Sequence, residues 1–315
     1  MPHDLGRGAT PASCPIPGAP DFLWRRAGVN EALRWRCGRC GSDFTDVEAG
    51  CSCGWAPQLR SGYLATTTTS FVPAGFSVDR RDHLRDLEQN HFWFEARDRL
   101  LSRILTRTRS QQASKAIDLG CGTGRFLSTL GGFAGTTVGV EGHDALASQA
   151  AARDSGAIVI AADVQSVPLA SGQFDLISIL DVLEHVDPLS LLREAGRLAG
   201  PGARLLISVP AFAWLWSHTD EAAGHRCRYD LALLRSELEA SGWTLDGHTY
   251  YQALLLPLVF ASRWRRSDRT SGIERTPPAW LNRLLGACNA MEVAAFSRFS
   301  LPFGSSLLGW AQRTE

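Results

Sequence analysis

The segment Ala116-Ile-Asp-Leu-Gly-Cys-Gly-Thr-Gly124 is a short apolar strand that runs directly into a D-x-G-x-G-x-G turn. Glycine alone accepts positive backbone dihedrals at no steric cost, and the missing Cβ lets another group touch the main chain. Side chains at 120, 122 and 124 are expected to block that approach, so the turn reads as a cradle for a nucleoside-type ligand. A dinucleotide fingerprint, G-x-G-x-x-G, would need its third glycine at 125, where this chain has Arg125.

Three more strand ends follow in order. Thr136-Thr-Val-Gly-Val140 leads to Glu141-Gly142, Ala157-Ile-Val-Ile160 leads to Ala162-Asp163-Val164, and Phe174-Asp-Leu-Ile-Ser-Ile-Leu180 leads to Asp-Val-Leu-Glu-His185-Val186. Open α/β sheets bind ligands along the carboxyl edge of their strands, so four such ends in sequence outweigh the bland reading of each as a solvated strand end. Over roughly residues 90 to 250 the chain resembles the class I S-adenosylmethionine-dependent methyltransferases, in the type 11/12-like group with a ubiquinone-methyltransferase-like core. The resemblance implies a Rossmann-like seven-stranded α/β sheet. It also implies S-adenosyl-L-methionine as cofactor, with Asp118, Gly120, Cys121, Gly122 and Gly124 around the turn. Glu141 and Gly142 would meet the ribose hydroxyls, Asp163 and Val164 would hold the adenine, and Leu180 would line the same site.

Upstream, the pattern from Asp79 to Leu105 is helical and carries Asn90-His91-Phe92-Trp93-Phe94-Glu-Ala-Arg97. Consecutive aromatics ordinarily mean core packing. In methyltransferases with such a segment the helix covers the cofactor, which gives Arg97 or His91 the methionine carboxylate as a partner.

Four of the eight cysteines fall as Cys37-Gly-Arg-Cys40 and Cys51-Ser-Cys53. Paired thiolates at the tips of tight turns suit a tetrahedral Zn2+ site, and so short a segment has little other core. The expectation is a structural zinc ribbon without chemistry of its own. The CxC half departs from the usual CxxC, so Cys14 is an alternative fourth ligand, and four reduced, unligated thiols are the bland alternative.

After the fifth strand, Arg204 to Pro210, preceded by the turn Gly200-Pro-Gly202, comes an insertion containing Trp214, Trp216, His218, Asp220, His225, Arg226, Arg228 and Tyr229. It resembles the W-S-x-x-D-x-x-x-G-H-x-R-x-Y stretch of a bacterial methyltransferase subgroup. Trp214, Trp216, Asp220, Arg226, Arg228 and Tyr229 are candidates for substrate binding, and the structural alternative is a polar network in which Asp220, His225 and Arg228 satisfy one another. Strands expected at Thr244–Tyr250 and Ser306–Gln312 leave about fifty residues between them, read as a helical lid. Its apolar start, Ala253 to Ala261, precedes Arg263, Arg265, Arg266 and Arg269, and is too short to span a bilayer. It reads as a buried cap helix, with peripheral membrane contact through 253–269 as the other option.

The expected organisation is a disordered segment at 1–30, the ribbon at 31–65, a linker with cofactor-covering helices at 66–112, the core at 113–250, the lid at 251–303 and the last strand at 304–315. The formal net charge is zero, and residues 1–60 hold seven arginines against six acidic residues. That balance argues against nucleic acid as a partner. No segment has the order of a secretory signal, so the expected location is cytoplasmic.

A sulfonium methyl group needs little activation, and orientation carries most of the rate. An acceptor hydroxyl or phenol needs a base, for which His185, His218 and His225 are the candidates. A carboxylate acceptor needs none and would be positioned by arginines. The acceptor is therefore expected to be a small or lipid-like molecule methylated at oxygen. The rivals are an RNA methyltransferase that grips RNA through its ribbon, and a cofactor-binding scaffold without turnover.

Overall fold

The computed structural model describes residues 33–66, 88, 91–108, 112–153, 156–257, 277–296 and 300–314. Strands β1 (Trp35–Arg36) and β2 (Asp43–Phe44) pair antiparallel, and β3 (Gln58–Arg60) and β4 (Tyr63–Ala65) form a hairpin across Ser61-Gly62. Helix α1 (Phe92–Thr108) then opens an alternation of strands and helices: β5 (Ala113–Leu119), α2 (Arg125–Gly131), β6 (Ala134–Glu141), α3 (Asp144–Ala151) and β7 (Ile158–Ala161). It continues through β8 (Phe174–Leu180), α4 (Pro188–Leu198) and β9 (Ala199–Pro210). The chain ends with α5 (His218–Ala223), α6 (Leu231–Glu239), β10 (Trp243–Tyr251), α7 (Ala279–Phe296) and β11 (Ser306–Arg313).

One nine-stranded sheet runs β10-β11-β9-β8-β5-β6-β7-β4-β3. Strands β5 to β9 are mutually parallel, and β11 is antiparallel between β9 and β10. The seven strands from β10 to β7 are the Rossmann-like sheet the sequence implies, five of them the parallel strands β5 to β9. Their apolar runs are buried on both faces, as parallel strands covered by helices require; Ile117, Val138, Ile160, Ile177 and Ile207 meet in one core. Helix α4 starts where Asp187 accepts the Ser190 N–H at 2.9 Å, with Pro188 in its first turn. Its Leu191, Leu192, Ala195 and Leu198 are all buried.

The β3–β4 hairpin is an addition that the sequence reading did not contain. Leu64 and Ala65 pair in parallel with Ile160 and Ala161, and the Thr66 hydroxyl donates to the Ala161 carbonyl at 2.8 Å. Trp35, fully buried, bridges to Leu169, and Gln173 receives the Arg34 N–H at 3.1 Å. The cysteine segment is thus built onto the sheet. The fifth strand also begins earlier than expected, at Ala199, and Gly200-Pro201-Gly202 falls inside β9 beside a register shift against β8.

Between the last two strands, α7 packs on α1. Arg103 Nη1 donates to the Val293 carbonyl at 2.6 Å, the Phe92 N–H donates to Asn282 Oδ1 at 3.1 Å, and the buried Glu292 accepts the N–H groups of Ala253 and Leu254. The expected arginines of the 263–269 stretch, Cys14, the disordered segment at 1–30 and most of the linker lie outside the described residues. Among the described residues no helix is long and apolar enough to cross a membrane.

Candidate active site

Strand β5 reverses the order of the sheet, with β6 on one side and β8 on the other, and a cleft of about 330 Å³ opens at the carboxyl ends of these strands. Asp118, buried at the end of β5, accepts the Ser178 hydroxyl of β8 at 2.6 Å; burial pushes its carboxyl up to about 6, against the pull of that hydrogen bond. The turn then places Gly120, Gly122 and Gly124 at φ of 84°, 56° and 79°.

The three glycines do different work, which corrects the expectation that all three clear a path for a ligand. A Cβ on Gly120 would run into the Val182 side chain, and one on Gly124 would sit 2.9 Å from the Ala150 Cα in α3. Only at Gly122 does a Cβ point into open space. Gly122 lines the cleft together with Gly120 and Cys121, whereas Gly124 serves the contact between the turn and α3.

At the end of β6, Glu141 holds the turn: its carboxylate accepts the Gly122 N–H at 2.9 Å and the His143 N–H at 2.8 Å. Burial pushes it up to about 7, with those backbone donors working in the other direction. Gly142 lies beside it, and Asp163 and Val164 line the cleft from beyond β7. Leu180 lines it from the end of β8, and Asp181, Val182 and His185 line it from beyond that strand. Asp181 has φ of 57° and Phe212, just past β9, has φ of 59°, so non-glycine residues in the left-handed region gather at this sheet edge.

Helix α1 closes the cleft with Trp93, Phe94 and Arg97. Burial opposes the Arg97 charge, but Asp181 at 2.6 Å and Asp98 at 3.7 Å outweigh it and push its pKa up. Its guanidinium also lies 4.9 Å from the Trp93 ring centroid. His91, the other candidate for that role, is absent from the cleft wall. It is buried at the start of α1, where Nδ1 accepts the Trp93 N–H at 3.2 Å and burial pushes it down to about 4. Glu88 is a lining residue that sequence reasoning missed. It accepts from the Thr123 hydroxyl and pairs with Arg153 at 2.8 Å. No spacing rule connects residue 88 to 153; only the closed sheet does.

In the insertion the polar network forms. Asp220 Oδ1 lies 2.9 Å from His225 Nδ1 and accepts from Arg228 Nε at 2.7 Å, while its second oxygen accepts the Ser217 N–H at 2.9 Å. Tyr229 is fully buried. Asp220, Arg228 and Tyr229 therefore build the scaffold of the insertion. Trp214 and Trp216 stand 57% and 38% exposed, and Arg226 is exposed. Trp214 stacks on Phe212, which stacks on Tyr250 with centroids 4.9 Å apart, forming an aromatic wall. Of the three candidate bases, His185 lines the cleft and meets the His225 ring edge-on at 4.9 Å, while His218 is exposed at the start of α5.

The four cysteines converge. Cys37 and Cys53 sulfurs are 3.4 Å apart, as are Cys40 and Cys51, and all four lie within 4.8 Å of one another. A disulfide would require about 2.05 Å, whereas a tetrahedral zinc with Zn–S near 2.3 Å separates its sulfurs by about 3.8 Å. The N–H groups of Arg39 and Cys40 point at Cys37 Sγ at 3.3 and 3.4 Å. The donor set fits a zinc ion.

The family model described as "Methyltransferase domain" matches residues 87–247, about half of the chain. The ubiquinone biosynthesis O-methyltransferase of Methylococcus capsulatus is 33% identical over 100 residues, 30% of this chain and 42% of that protein. A 37.1 kDa protein in transposon TN4556 of Streptomyces fradiae is 32% identical over 108 residues, 32% of this chain and 31% of that protein. The chain thus spans less than half the length of these relatives. Among solved structures, a complex of the Haloferax volcanii Trm112 methyltransferase activator with a methyltransferase superposes with TM-score 0.52 at 17% identity, covering 76% of this chain and 95% of the other. A geranyl diphosphate methyltransferase in complex with SAM gives TM-score 0.50 at 15% identity over 76% of this chain and 92% of that one. At these identities the superpositions speak for the fold.

Proposed function

The chain belongs to the methyltransferase domain family, and on that premise we propose that it transfers the methyl group of S-adenosylmethionine to a small or partly apolar acceptor, at oxygen. The observation that carries the proposal is the cleft itself, where a glycine turn, an acidic residue at the end of β6, another past β7 and a histidine past β8 share one wall.

The residues present fit such a cofactor. Glu141 would accept the ribose hydroxyls, Asp163 and the Val164 N–H would hold the adenine, and Gly122 would let the cofactor reach the main chain. Arg97 would meet the methionine carboxylate, exchanging part of its bond to Asp181. When bound, the cofactor supplies an electrophilic methyl group on sulfur. The chain's own part is to orient the acceptor and exclude water, with α1 lying over the cleft. His185 is the histidine that can take a proton from an acceptor hydroxyl within the cleft, and Asp220 behind His225 would steady the neighbouring ring. The aromatic wall of Trp214, Phe212 and Tyr250 suits an acceptor with an apolar portion. The ubiquinone O-methyltransferase relatives favour oxygen as the acceptor atom. The cysteine cluster would hold one structural Zn2+, a closed four-thiolate site without an open position for chemistry.

The test is methyl transfer from labelled S-adenosylmethionine into an extract of the source cell, partitioned into solvent-soluble, protein and ribonuclease-sensitive fractions. Label in the solvent-soluble fraction supports the proposal and yields the acceptor. Label released by ribonuclease overturns it in favour of an RNA substrate, and cofactor binding without transfer to any fraction would leave a scaffold.

A further inference from the structure

Glu184, His185 and His225 each bring one potential ligand atom within 4.8 Å of the other two. The 3₁₀ turn Leu183–His185 sets the first two residues side by side after β8, and the Arg226 N–H docks the His225 loop on this turn by donating to the Glu184 carbonyl at 2.8 Å. Behind His225, Asp220 lies 2.9 Å from Nδ1 and is itself fixed by Arg228 at 2.7 Å. A carboxylate on one ring nitrogen keeps the proton there and turns the other lone pair outward, the arrangement that orients metal-bound histidines. Glu184 is 1% exposed and its Oε2 has no hydrogen-bond partner among the described residues. A buried carboxylate oxygen without a donor is costly, and a cation supplies what it lacks.

We propose that Glu184, His185 and His225 bind one divalent transition-metal ion beside the cleft, with Asp220 as the positioning residue behind His225. Two imidazoles and one carboxylate suit Mn2+, Fe2+, Co2+ or Zn2+ better than the all-oxygen sites of Ca2+ or Mg2+. Three protein ligands leave coordination positions open, unlike the four-cysteine cluster. Because His185 also lines the cleft, the ion borders the space available to an acceptor. Its chemical use rests on the proposed methyl transfer and takes the place of His185 as proton acceptor, because an imidazole whose lone pair binds a metal is no longer a base. An acceptor hydroxyl bound to the ion is acidified and releases its proton to solvent, its oxygen forms a bond to the methyl carbon, and the carbon–sulfur bond breaks with its electron pair left on sulfur as a thioether.

The experiment titrates Mn2+, an ion poorly matched to a four-thiolate site, into the full zinc-loaded chain and follows the free ion by electron paramagnetic resonance. The expected result is a single Mn2+ per chain, with binding weakened about tenfold or more in Glu184→Gln and His225→Gln and about tenfold in Asp220→Asn. Circular dichroism checks folding; His225 is the less buried of the two ligands, so His225→Gln carries the test where Glu184→Gln fails to fold. Failure of the wild-type chain to hold Mn2+ or Co2+ beyond the ion at the cysteines overturns the site, as does undiminished binding in the variants. Binding that is lost in the variants supports the site even where methyl transfer is undetected, a result that would count instead against the proposed function.

Discussion

Arg97 Nη1 donates to Asp181 Oδ2 at 2.6 Å, tying the covering helix α1 to a residue that follows β8 with φ of 57°. The bond spans the cleft wall, so one ion pair holds both the cover and a strained backbone. Removing Asp181 leaves the Arg97 charge in a low-dielectric site with only the longer Asp98 contact, at 3.7 Å, to balance it. Asp181→Ala is expected to destabilise the unliganded protein by about 3 kcal/mol, the low end for a broken buried pair, because Asp181 keeps 24% of its side chain exposed. If Arg97 also takes the methionine carboxylate, S-adenosylmethionine raises the melting temperature of this variant more than that of the wild type. An equal rise in both would remove Arg97 from the cofactor.

Glu141 gives a pH dependence with opposite signs for stability and binding. Burial lifts it from 4.5 to about 7. Between those values the folded chain holds a proton that the unfolded chain has released, so this group's contribution to unliganded stability falls as pH rises through the window. Ribose hydroxyls favour the ionised carboxylate, so cofactor affinity climbs over the same range, by about tenfold from pH 6 to pH 8 if only the ionised form binds. Calorimetric titration across that range should show the slope in the wild type and lose it in Glu141→Gln.

The glycines separate folding from binding. Gly120→Ala and Gly124→Ala meet protein atoms, so they should lower the melting temperature most. Gly122→Ala has open space around its Cβ and should cost only the left-handed backbone penalty of about 1 kcal/mol, with a larger loss of cofactor affinity. Paired melting curves and dissociation constants measure both quantities, and Val182→Ala should partly rescue Gly120→Ala.

Zinc content provides a fourth check. Metal analysis by atomic emission should find about one zinc per wild-type chain at the cysteines. The double variant Cys37→Ser with Cys40→Ser should lose it and melt earlier, because Trp35 and Leu64 pack in the same core as Ile160. Zinc retained in full by that variant would move the ion to other ligands.

What the sequence disclosed follows a physical division. The ends of β5, β6, β7 and β8 were legible because buried parallel strands are continuous apolar runs punctuated by glycine and acid, and Glu141 and Asp163 follow those runs directly. The β3–β4 hairpin was not, although Ser61-Gly62 is a turn signal, because Gln58–Arg60 and Tyr63–Ala65 are three residues each and too short to show a period. The partners of Arg97 and Glu88 were invisible for another reason: pairs 84 and 65 residues apart exist only after the sheet has closed. The insertion was read in two roles that do not exclude one another, and the polar network of Asp220, His225 and Arg228 is the part that the structure forms.

Strand β4 has a last consequence, for how the protein can be cut. A chain trimmed to begin at residue 87, where the family match begins, would lose the neighbour of β7 and bare the edge of Ile158-Val-Ile-Ala161, four residues that are all buried in the intact protein. An uncovered apolar edge strand is a template for pairing with other chains. The trimmed form is therefore expected to be the one prone to self-assembly, because the β3–β4 hairpin is what shields this edge in the intact chain.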